Sequence, residues 1–235
     1  MKFATWNVHK GLDGAGKSNQ PAIILNVLLR EPEFLALQEV PSQEWLAYVA
    51  AACTNPQKHM SHYFAQTHAN GSGIGLLTQH MSTVTTHQFQ TSCMVSDTRS
   101  VLIARPIYVP NLVVMCTHFS AHASMTGQTS QATQLATLVD ETSGDVVVMG
   151  DLNSHHASPA LTKLREVGVR DMWRSAAVRE RGYWRGCTFP TMLPLQRIDY
   201  VLARSDYLIS ESAYTFDANK ASDHKCLLVN ISGIV

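Results

Sequence analysis

Short runs of apolar residues recur along the chain, and turn-forming residues separate them. Runs of this length that are rich in β-branched and apolar residues are typical of buried strands. We expect strands at Phe3–Val8, Phe34–Gln38, Gly73–Leu77, Val101–Ile107, Leu112–Thr117, Asp145–Met149, Ile198–Leu202 and Cys226–Ile231.

Four segments between these runs carry apolar residues at helical spacing instead. One of them opens on a proline, which is favoured in the first turn of a helix. The predicted helices are Pro21–Arg30, Gln43–Ala52, Gln131–Val139 and Ser158–Val167. Strands and helices alternate to the end without a Pro-, Gly- or Ser-rich linker, so we predict one α/β domain over residues 1–235.

Composition narrows the class of protein further. Hydrophobic residues make up 45% of the chain and charged residues 15%, which excludes a disordered protein. The five cysteines are scattered and show no C-x-x-C spacing, which indicates free thiols in a reducing compartment. We find no apolar run long enough for a signal peptide or a transmembrane segment and therefore expect a cytoplasmic protein.

Polar side chains stand at or beside the ends of several predicted strands. They are Asn7, Glu39, His118, Asp151, Asn153, Asp199, Asp223 and His224. A single acid after a strand is usually a cap or turn residue. Eight such residues together favour one cleft that binds a hard divalent cation through oxygen ligands, with histidine for proton transfer. A zinc site is disfavoured because H-E-x-x-H is absent.

Six segments in order along the chain resemble the endonuclease/exonuclease/phosphatase superfamily, the fold of pancreatic deoxyribonuclease and exonuclease III. They are Thr5-Trp6-Asn7, Leu37-Gln38-Glu39-Val40, Thr117-His118-Phe119, Gly150-Asp151-Leu152-Asn153-Ser154, Arg197-Ile198-Asp199-Tyr200-Val201-Leu202 and Ser222-Asp223-His224. The resemblance implies a four-layer α/β/β/α sandwich of two packed mixed sheets, with the site at one edge.

The resemblance also implies a metal cofactor, Mg²⁺ or Mn²⁺. Glu39 is expected to be its principal ligand, with Asn7 beside it and Asp223 completing its surroundings. The metal and nearby hydrogen-bond donors would neutralise charge that develops on the phosphoryl oxygens during hydrolysis.

Catalytic roles follow from the same resemblance. Asp151 is expected to orient or deprotonate the attacking water, and Asn153 to hydrogen-bond the scissile phosphate. His224 is expected to contact the phosphate or to act as the base, held by Asp199. His118 is expected to contact the phosphate.

The sequence departs from relatives in two places. Val40 follows Glu39, where the abasic-site branch tends to carry lysine and the deoxyribonuclease branch places an arginine nearby. In the deoxyribonuclease branch a carboxylate also pairs with the histidine that matches His118. Residues 45–96 here contain no acid, so an acid partner of His118 must come from elsewhere. We interpret the histidines of that stretch as surface or loop residues: His59, His62, His68, His80 and His87.

Several basic and aromatic residues suggest how the substrate is held. Residues 161–197 contain eight basic residues against three acids, a net charge of +5, with aromatic residues interleaved. Arginines beside aromatic rings suit a nucleic-acid strand, and would also suit another phosphorylated ligand. From this segment we predict substrate contacts by Trp184 and Arg185, and the family resemblance implies further contacts by Arg99 and Thr188.

The sequence therefore predicts a metal-dependent phosphoester hydrolase that cleaves a phosphodiester, principally in nucleic acid, by in-line attack of an activated water. A phosphatase or phosphodiesterase for a small phosphorylated metabolite, an inositol phosphate or a lipid headgroup is the alternative. A non-catalytic binding protein on the same fold is a third. The substrate is the expected partner, and no obligate protein partner is evident.

Overall fold

The structure is a computed structural model that describes residues 1–90, 98–121, 125–179, 186–217 and 221–234. The strands in these ranges are Lys2–Asn7 (β1), Phe34–Val40 (β2), Ser61–Gln66 (β3), Gly73–Thr78 (β4), Ser82–Gln88 (β5), Ser100–Pro106 (β6), Leu112–His118 (β7), Asp145–Asp151 (β8), Arg170–Asp171 (β9), Val178–Arg179 (β10), Asp199–Arg204 (β11), Ile209–Phe216 (β12) and Cys226–Ser232 (β13). The α-helices are Gln20–Arg30 (α1), Gln43–Cys53 (α2), Met125–Glu141 (α3), Pro159–Glu166 (α4) and Met172–Ser175 (α5). No helix in these ranges is both long enough and apolar enough to cross a bilayer.

The strands form two mixed sheets. The first has seven strands in the order β10-β12-β13-β1-β2-β4-β3, and the second has six in the order β5-β6-β7-β8-β11-β9. Strands β1 and β2 are parallel, as are β7 and β8, whereas β1–β13 and β8–β11 are antiparallel. The prediction of two mixed sheets is confirmed.

The two sheets pack face to face over a buried apolar layer. The rings of Phe3 and Phe34 in the first sheet stack with centroids 5.2 Å apart, in one cluster with Val114 and Met149 of the second sheet. Helices α1 and α2 cover the outer face of the first sheet, and α3 and α4 cover that of the second. This arrangement confirms the predicted four-layer α/β/β/α sandwich.

Strand β1 shows why the apolar runs identify the central strands. Phe3 faces the layer between the sheets, whereas Ala4 and Trp6 face the helices, and all three are buried. A strand covered on both faces needs apolar residues at successive positions, which produces an unbroken apolar run in the sequence.

Five strands, β3, β5, β9, β10 and β12, were not predicted, of which β9 and β10 have two residues each and lie at sheet edges. β3 and β5 lie at sheet edges, and β12 lies one strand from an edge. In β5, Ser82–Gln88, most side chains reach solvent and only Ser82 is buried. An edge strand covered on one side at most needs few apolar residues, so its sequence resembles a polar loop. Helix α3 likewise begins at Met125 instead of Gln131, because its first turns are polar.

The strand ends that carry polar side chains meet at one edge of the sandwich. In the second sheet, His118 of β7 lies beside Asp151 of β8, and Asp151 lies opposite Asp199 of β11. In the first sheet, Asn7 ends β1 beside Gln38 of β2. Strand β1 packs against both β8 and β11, so the two groups of side chains approach each other across the sandwich.

Candidate active site

Glu39 lies on a β-bulge at the end of β2. Between Leu37 and Val40, β2 advances three residues while its partner β4 advances two, from Gly75 to Gly73. Glu39 has a φ of 54°, in the left-handed region that residues other than glycine rarely adopt. Bulges redirect side chains and are frequent beside active sites. Here the bulge directs the Glu39 carboxylate towards the end of β1.

Asn7 joins the carboxylates of the two sheets. Its Nδ2 donates to Asp151 Oδ2 at 3.1 Å and to Glu39 Oε1 at 3.3 Å. Its Oδ1 accepts a hydrogen bond from the backbone N–H of His9 at 3.0 Å. Because this oxygen is already engaged, Asn7 in this arrangement holds two acids side by side. The place in the metal shell predicted for Asn7 stays a prediction.

Asp199 and His224 form a buried pair directly below Asp151. His224 Nδ1 lies 2.8 Å from Asp199 Oδ2, and His224 Nε2 lies 3.8 Å from Asp151 Oδ2. Asp199 is fully buried, and within the described ranges its Oδ1 has no hydrogen-bond partner. The imidazole therefore bridges two acids that would otherwise repel each other in a region that water does not reach.

The segment that carries His224 is fastened to β1. Trp6 Nε1 donates to the His224 carbonyl at 3.0 Å, and Ser222 Oγ donates to the Asn7 carbonyl at 2.6 Å. Asp223 is only half-buried, and its Oδ1 lies 3.3 Å from Ser222 Oγ. These bonds hold the two ends of the chain together at the site, while the metal role of Asp223 stays a prediction.

The acids and His224 shift one another's pKa. Burial, and next the charge of Asp199, raises the pKa of Asp151 to about 7, although His224 opposes the rise. Burial by itself would lower the pKa of His224, but the charges of Asp199 and Asp151 outweigh it and raise that pKa to about 10. At neutral pH His224 is therefore cationic, and the carboxyl of Asp151 is protonated in part.

His118 lies on the other side of Asp151, with its two ring nitrogens in different surroundings. Arg99 Nη1 lies 3.0 Å from Nδ1, and Asn153 Nδ2 lies 3.2 Å from Nε2. A guanidinium only donates, so Nδ1 accepts and the neutral ring carries its proton on Nε2. The Asn153 amide is then a second donor beside Nε2 and makes no hydrogen bond with it. Burial, followed by the charge of Arg99, lowers the pKa of His118 well below its ordinary value. His118 is therefore a neutral N–H donor.

The carboxylate found beside His118 in the described part of the chain is Asp151, with its Oδ2 3.6 Å from Nε2. An acid from outside residues 45–96, as the sequence required, therefore lies next to this histidine, but on the Nε2 side. Arg99 occupies the Nδ1 side and is itself 3% exposed. The substrate contact predicted for Arg99 stays a prediction, whereas its bond to His118 makes it a positioning residue.

Asn153 is set by the turn that follows β8. Its backbone N–H donates to Asp151 Oδ1 at 2.9 Å, and its Nδ2 donates to the Phe119 carbonyl at 2.9 Å. Its φ is 47°, again in the left-handed region. The turn thus places the Asn153 amide beside His118 and next to Asp151, where both predicted phosphate contacts face the same acid.

His68 is a residue of the cleft that the strand-end pattern did not identify. Its ring centroid lies 6.4 Å from that of His118, and its charge contributes to the low pKa of His118. It lies in a loop, as expected, but the loop is tight: the N–H groups of Thr67 and His68 both donate to the Ser72 carbonyl at 3.0 Å. Gly71 permits this turn because its φ is 90°. This glycine is the feature of the sequence that could have indicated a tight turn beside His68.

The remaining predicted substrate residues have different positions. Thr188 is buried, and its Oγ1 accepts from the backbone N–H groups of Ile198 and Asp199 at 3.3 Å, so it orders the start of β11. Its substrate contact stays a prediction. Trp184 and Arg185 lie outside the described residues.

The donor set suits a hard divalent cation. Glu39 and Asp151 offer carboxylate oxygens that one amide already holds together, and oxygen ligands of this kind are those that Mg²⁺ and Mn²⁺ prefer. Ligand atoms of Asp151, Asp199 and His224 also lie within 4.8 Å of one another. Burial, and next the charge of Asp199, raises the pKa of Asp151, and a cation bound beside these acids would offset the repulsion between them.

Comparisons with known proteins agree with this geometry. A family model described as the Endonuclease/Exonuclease/phosphatase family matches residues 4–224. Among curated proteins, no sequence matches the chain.

Solved structures share the fold over nearly the whole chain. A family protein from Leptotrichia buccalis is 16% identical with a TM-score of 0.81, and the match covers 99% of each chain. One from Beutenbergia cavernae is 20% identical with a TM-score of 0.80, covering 98% of this chain and 71% of the other. A Bacteroides thetaiotaomicron mannosyl-6-phosphatase is 12% identical with a TM-score of 0.77, covering 99% of each.

The family match extends over most of the chain and includes every strand end that contributes to the cleft. The resemblance inferred from the six sequence segments is confirmed. The chain belongs to the Endonuclease/Exonuclease/phosphatase family and is a phosphoric ester hydrolase.

Proposed function

We propose that this protein is a divalent-metal-dependent phosphodiesterase, principally a nuclease, in which residues 1–235 act as one catalytic domain. The observation that carries the proposal is the position of Asp151. It lies buried between the Asn7 amide, the Asn153 backbone N–H and the imidazoles of His118 and His224. This is a proton acceptor surrounded by donors, with a pKa near neutrality.

Asp151 is the best candidate for the base that activates water. A general base must accept a proton near the operating pH, and in the metal-free protein burial and the charge of Asp199 raise the pKa of Asp151 to about 7. His224 is less suited to this task, because its pKa of about 10 leaves it already protonated at neutral pH. We therefore propose that His224 contacts the phosphate and that Asp151 takes the proton of the attacking water. The family resemblance had left both the phosphate contact and the base open for His224.

Three side chains offer donors to the phosphoryl oxygens. The cationic His224 supplies Nε2–H, and Asp199 holds this ring in place through Nδ1. His118 Nε2 and Asn153 Nδ2, 3.2 Å apart, form a second pair of donors. Donors that are fixed before the reaction stabilise charge as it develops on oxygen and need no rearrangement. Water attacks phosphorus and forms the new P–O bond while its proton passes to Asp151. The P–O bond to the ester oxygen breaks, and that oxygen leaves as an alcohol after it takes a proton from solvent.

Glu39 is the residue we propose as the principal metal ligand, with Asn7 and Asp223 nearby. Its strained bulge conformation and its shared amide with Asp151 support this role. A bound Mg²⁺ or Mn²⁺ would supply Lewis-acid stabilisation of the phosphoryl oxygens.

Nucleic acid is the substrate class we favour, because the exposed Arg174 and Arg179 line a second cleft with His155 and Arg197, which are two residues from Asn153 and Asp199 in the chain. Arginine suits repeated phosphate contacts along a strand. A small phosphorylated metabolite is the second candidate. The fold is shared with a mannosyl-6-phosphatase, so it also accommodates a sugar phosphate.

A substrate panel tests the proposal. EDTA-treated protein, with Mg²⁺ or Mn²⁺ restored, would be offered plasmid DNA, single-stranded DNA, RNA, a generic phosphodiester and phosphorylated sugars. We expect metal-dependent cleavage of at least one nucleic acid, faster than release of phosphate from the sugars. Release from the sugars alone would favour the second candidate, and activity that survives EDTA would contradict the mechanism.

A cytoplasmic location is part of the proposal. The four described cysteines are all free thiols, which fits a reducing compartment. The absence of an obligate protein partner stays a prediction from the sequence, and gel filtration of the purified protein would test it.

A further inference from the structure

A second cleft lies next to the catalytic residues and is not used by the proposed mechanism. Its volume is about 1020 Å³. The polar side chains that line it include His155, His156, Arg174, Arg179, Arg197 and Cys187. In the described part of the chain, no carboxylate lines this cleft, so its wall is uniformly basic or neutral.

This cationic cleft shares two chain segments with the catalytic site. His155 follows Asn153 by two residues, and Arg197 precedes Asp199 by two residues. Two residues span at most about 7 Å. The backbone of the cleft wall at His155 and Arg197 therefore lies within about 7 Å of the backbone of Asn153 and Asp199.

The guanidinium groups of the cleft are ordered by an aromatic platform. Arg179 and Arg197 lie over the ring of Trp173, with their Cζ atoms 5.2 and 5.1 Å from its centroid. Arg197 is paired with Asp171, and Arg179 donates to the Arg174 carbonyl. Trp173 is only 6% exposed, so it supports the arginines and offers no free face for stacking a base.

The charge of the cleft remains unbalanced in spite of these contacts. Asp171 offsets the charge of Arg197, whereas Arg174 and Arg179 are exposed. Arg179 donates to the Arg174 carbonyl and lies over the ring of Trp173, and neither contact neutralises its charge. Burial, and next the charges of Arg174 and Arg197, lowers the pKa of His156, as expected in a region of positive potential. Preorganised guanidinium forks in such a region are suited to a phosphate dianion.

We propose that the cationic cleft binds a second phosphate group of the substrate, one that is not hydrolysed. This inference rests on the proposed function, because it assumes that the first phosphate lies at Asn153 and His224. The shared chemistry is a phosphate held by Arg174 and Arg179. It can be the next phosphate of a nucleic-acid strand or the second phosphate of a small bisphosphate.

Matched substrate pairs test the site through kcat/KM. One series is a dinucleotide with no terminal phosphate, with a 5′-phosphate or with a 3′-phosphate; the other is a sugar monophosphate and its bisphosphate. We expect the extra phosphate to raise kcat/KM about tenfold or more in one series. The series that shows this increase identifies whether the second phosphate belongs to a nucleic-acid strand or to a small bisphosphate. In an Arg174→Gln/Arg179→Gln variant the ratio should fall to about one, while turnover of the unphosphorylated dinucleotide or the monophosphate is kept.

Arg105→Gln is the matched control, because Arg105 is an exposed arginine on β6 and does not line the cleft. It should retain the full preference. An equal preference in the double variant and the wild type, or no preference in the wild type, would overturn the inference and leave the proposed function standing.

If no ester is hydrolysed, the proposed function fails. Binding of pyrophosphate then tests the cationic cleft by itself. Cys187 lines the cleft and is partly exposed. Pyrophosphate should protect Cys187 of the EDTA-treated protein from alkylation, as measured by peptide mass spectrometry, in the wild type and in Arg105→Gln. Protection that persists in the Arg174→Gln/Arg179→Gln variant, or its absence in the wild type, would contradict the site.

Discussion

Arg99 donates a hydrogen bond from Nη1 to Nδ1 of His118 over 3.0 Å, and both side chains are buried. A cationic donor therefore occupies one ring nitrogen of a histidine whose counterpart in the deoxyribonuclease branch of the family pairs with a carboxylate. The effect of this neighbour on the pKa of the histidine is therefore opposite to that of a carboxylate. A carboxylate favours an imidazolium, whereas Arg99 keeps His118 neutral and fixes the proton on Nε2.

Arg99→Met should raise the pKa of His118 and release its tautomer, because it removes both the positive charge and the Nδ1 donor. We expect kcat to fall by about 10- to 100-fold, since one preorganised donor to the phosphate is misplaced. Histidine ¹⁵N chemical shifts report tautomer and pKa, and steady-state kinetics report kcat. Arg105→Met, which removes an exposed arginine of the adjoining strand, should change neither. An unaltered His118 tautomer in Arg99→Met would show that Arg99 does not position this ring.

Asp199→Asn should lower the pKa of His224 from about 10, because the charge of Asp199 is the first of the interactions that raise it. The asparagine can still contact Nδ1, so the position of the ring should largely survive. Loss of the held, cationic donor should reduce kcat by about 10²- to 10⁴-fold. NMR titration of His224 and a phosphodiester assay measure the two effects.

Asp206→Asn is the control for that substitution, because Asp206 is exposed and lies in the turn after β11, beyond the end of that strand opposite Asp199. In Asp206→Asn, the pKa of His224 and kcat should match those of the wild type. A His224 pKa that is the same in Asp199→Asn and the wild type would contradict the pairing.

Glu33 offers a test of stability that is independent of catalysis. Its carboxylate accepts from the Lys2 backbone N–H at 2.8 Å and lies 3.4 Å from His80 Nε2. The hydrogen bond with His80, opposed by partial burial and supported by Lys2, lowers the pKa of Glu33 below 4.5. A lowered carboxyl pKa stabilises the folded state above the unfolded pKa, and this stabilisation is lost as pH falls through the folded value.

Glu33→Gln should therefore reduce the free energy of unfolding by about 1 kcal/mol at pH 7. The difference from the wild type should shrink as pH falls below 4.5. Urea unfolding at several pH values measures it. Glu31→Gln, whose more exposed carboxylate lies 3.6 Å from Lys58 Nζ, should change stability by less than about 0.5 kcal/mol. A pH-independent loss in Glu33→Gln would contradict the charge-based explanation.

The sequence predicts the central part of the fold well, for a physical reason. Strands such as β1 and β8 are covered on both faces, so burial requires apolar residues at every position. Their ends must change abruptly to polar residues where the cleft begins, which is why Asn7 and Asp151 stand out. Strands β3 and β5 give no such contrast because solvent reaches them from one side.

The parts of the site that the sequence misses depend on distant packing. His68 approaches His118 through a loop, and nothing local to it shows which sheet end that loop will reach. Arg99 reads as an arginine near the cleft, but its donation to Nδ1 depends on the register between β6 and β7. Trp173, interleaved with arginines in the sequence, turns out to lie buried beneath Arg179 and Arg197.

The metal requirement of phosphodiester hydrolysis tests directly whether this protein is a metal-dependent phosphodiesterase with Glu39 as the principal metal ligand. Initial rates on a generic phosphodiester would be measured for EDTA-treated protein as Mg²⁺ is restored, in the wild type, Glu39→Gln and Glu141→Gln. Glu141 is an exposed acid at the end of α3 and serves as the control. We predict no turnover without metal, saturable activation in the wild type and Glu141→Gln, and at least about 10²-fold lower activity in Glu39→Gln at any Mg²⁺ concentration. Turnover by the metal-free wild type would contradict the proposed metal dependence. Wild-type activation of Glu39→Gln would contradict the proposed role of Glu39 as the principal ligand.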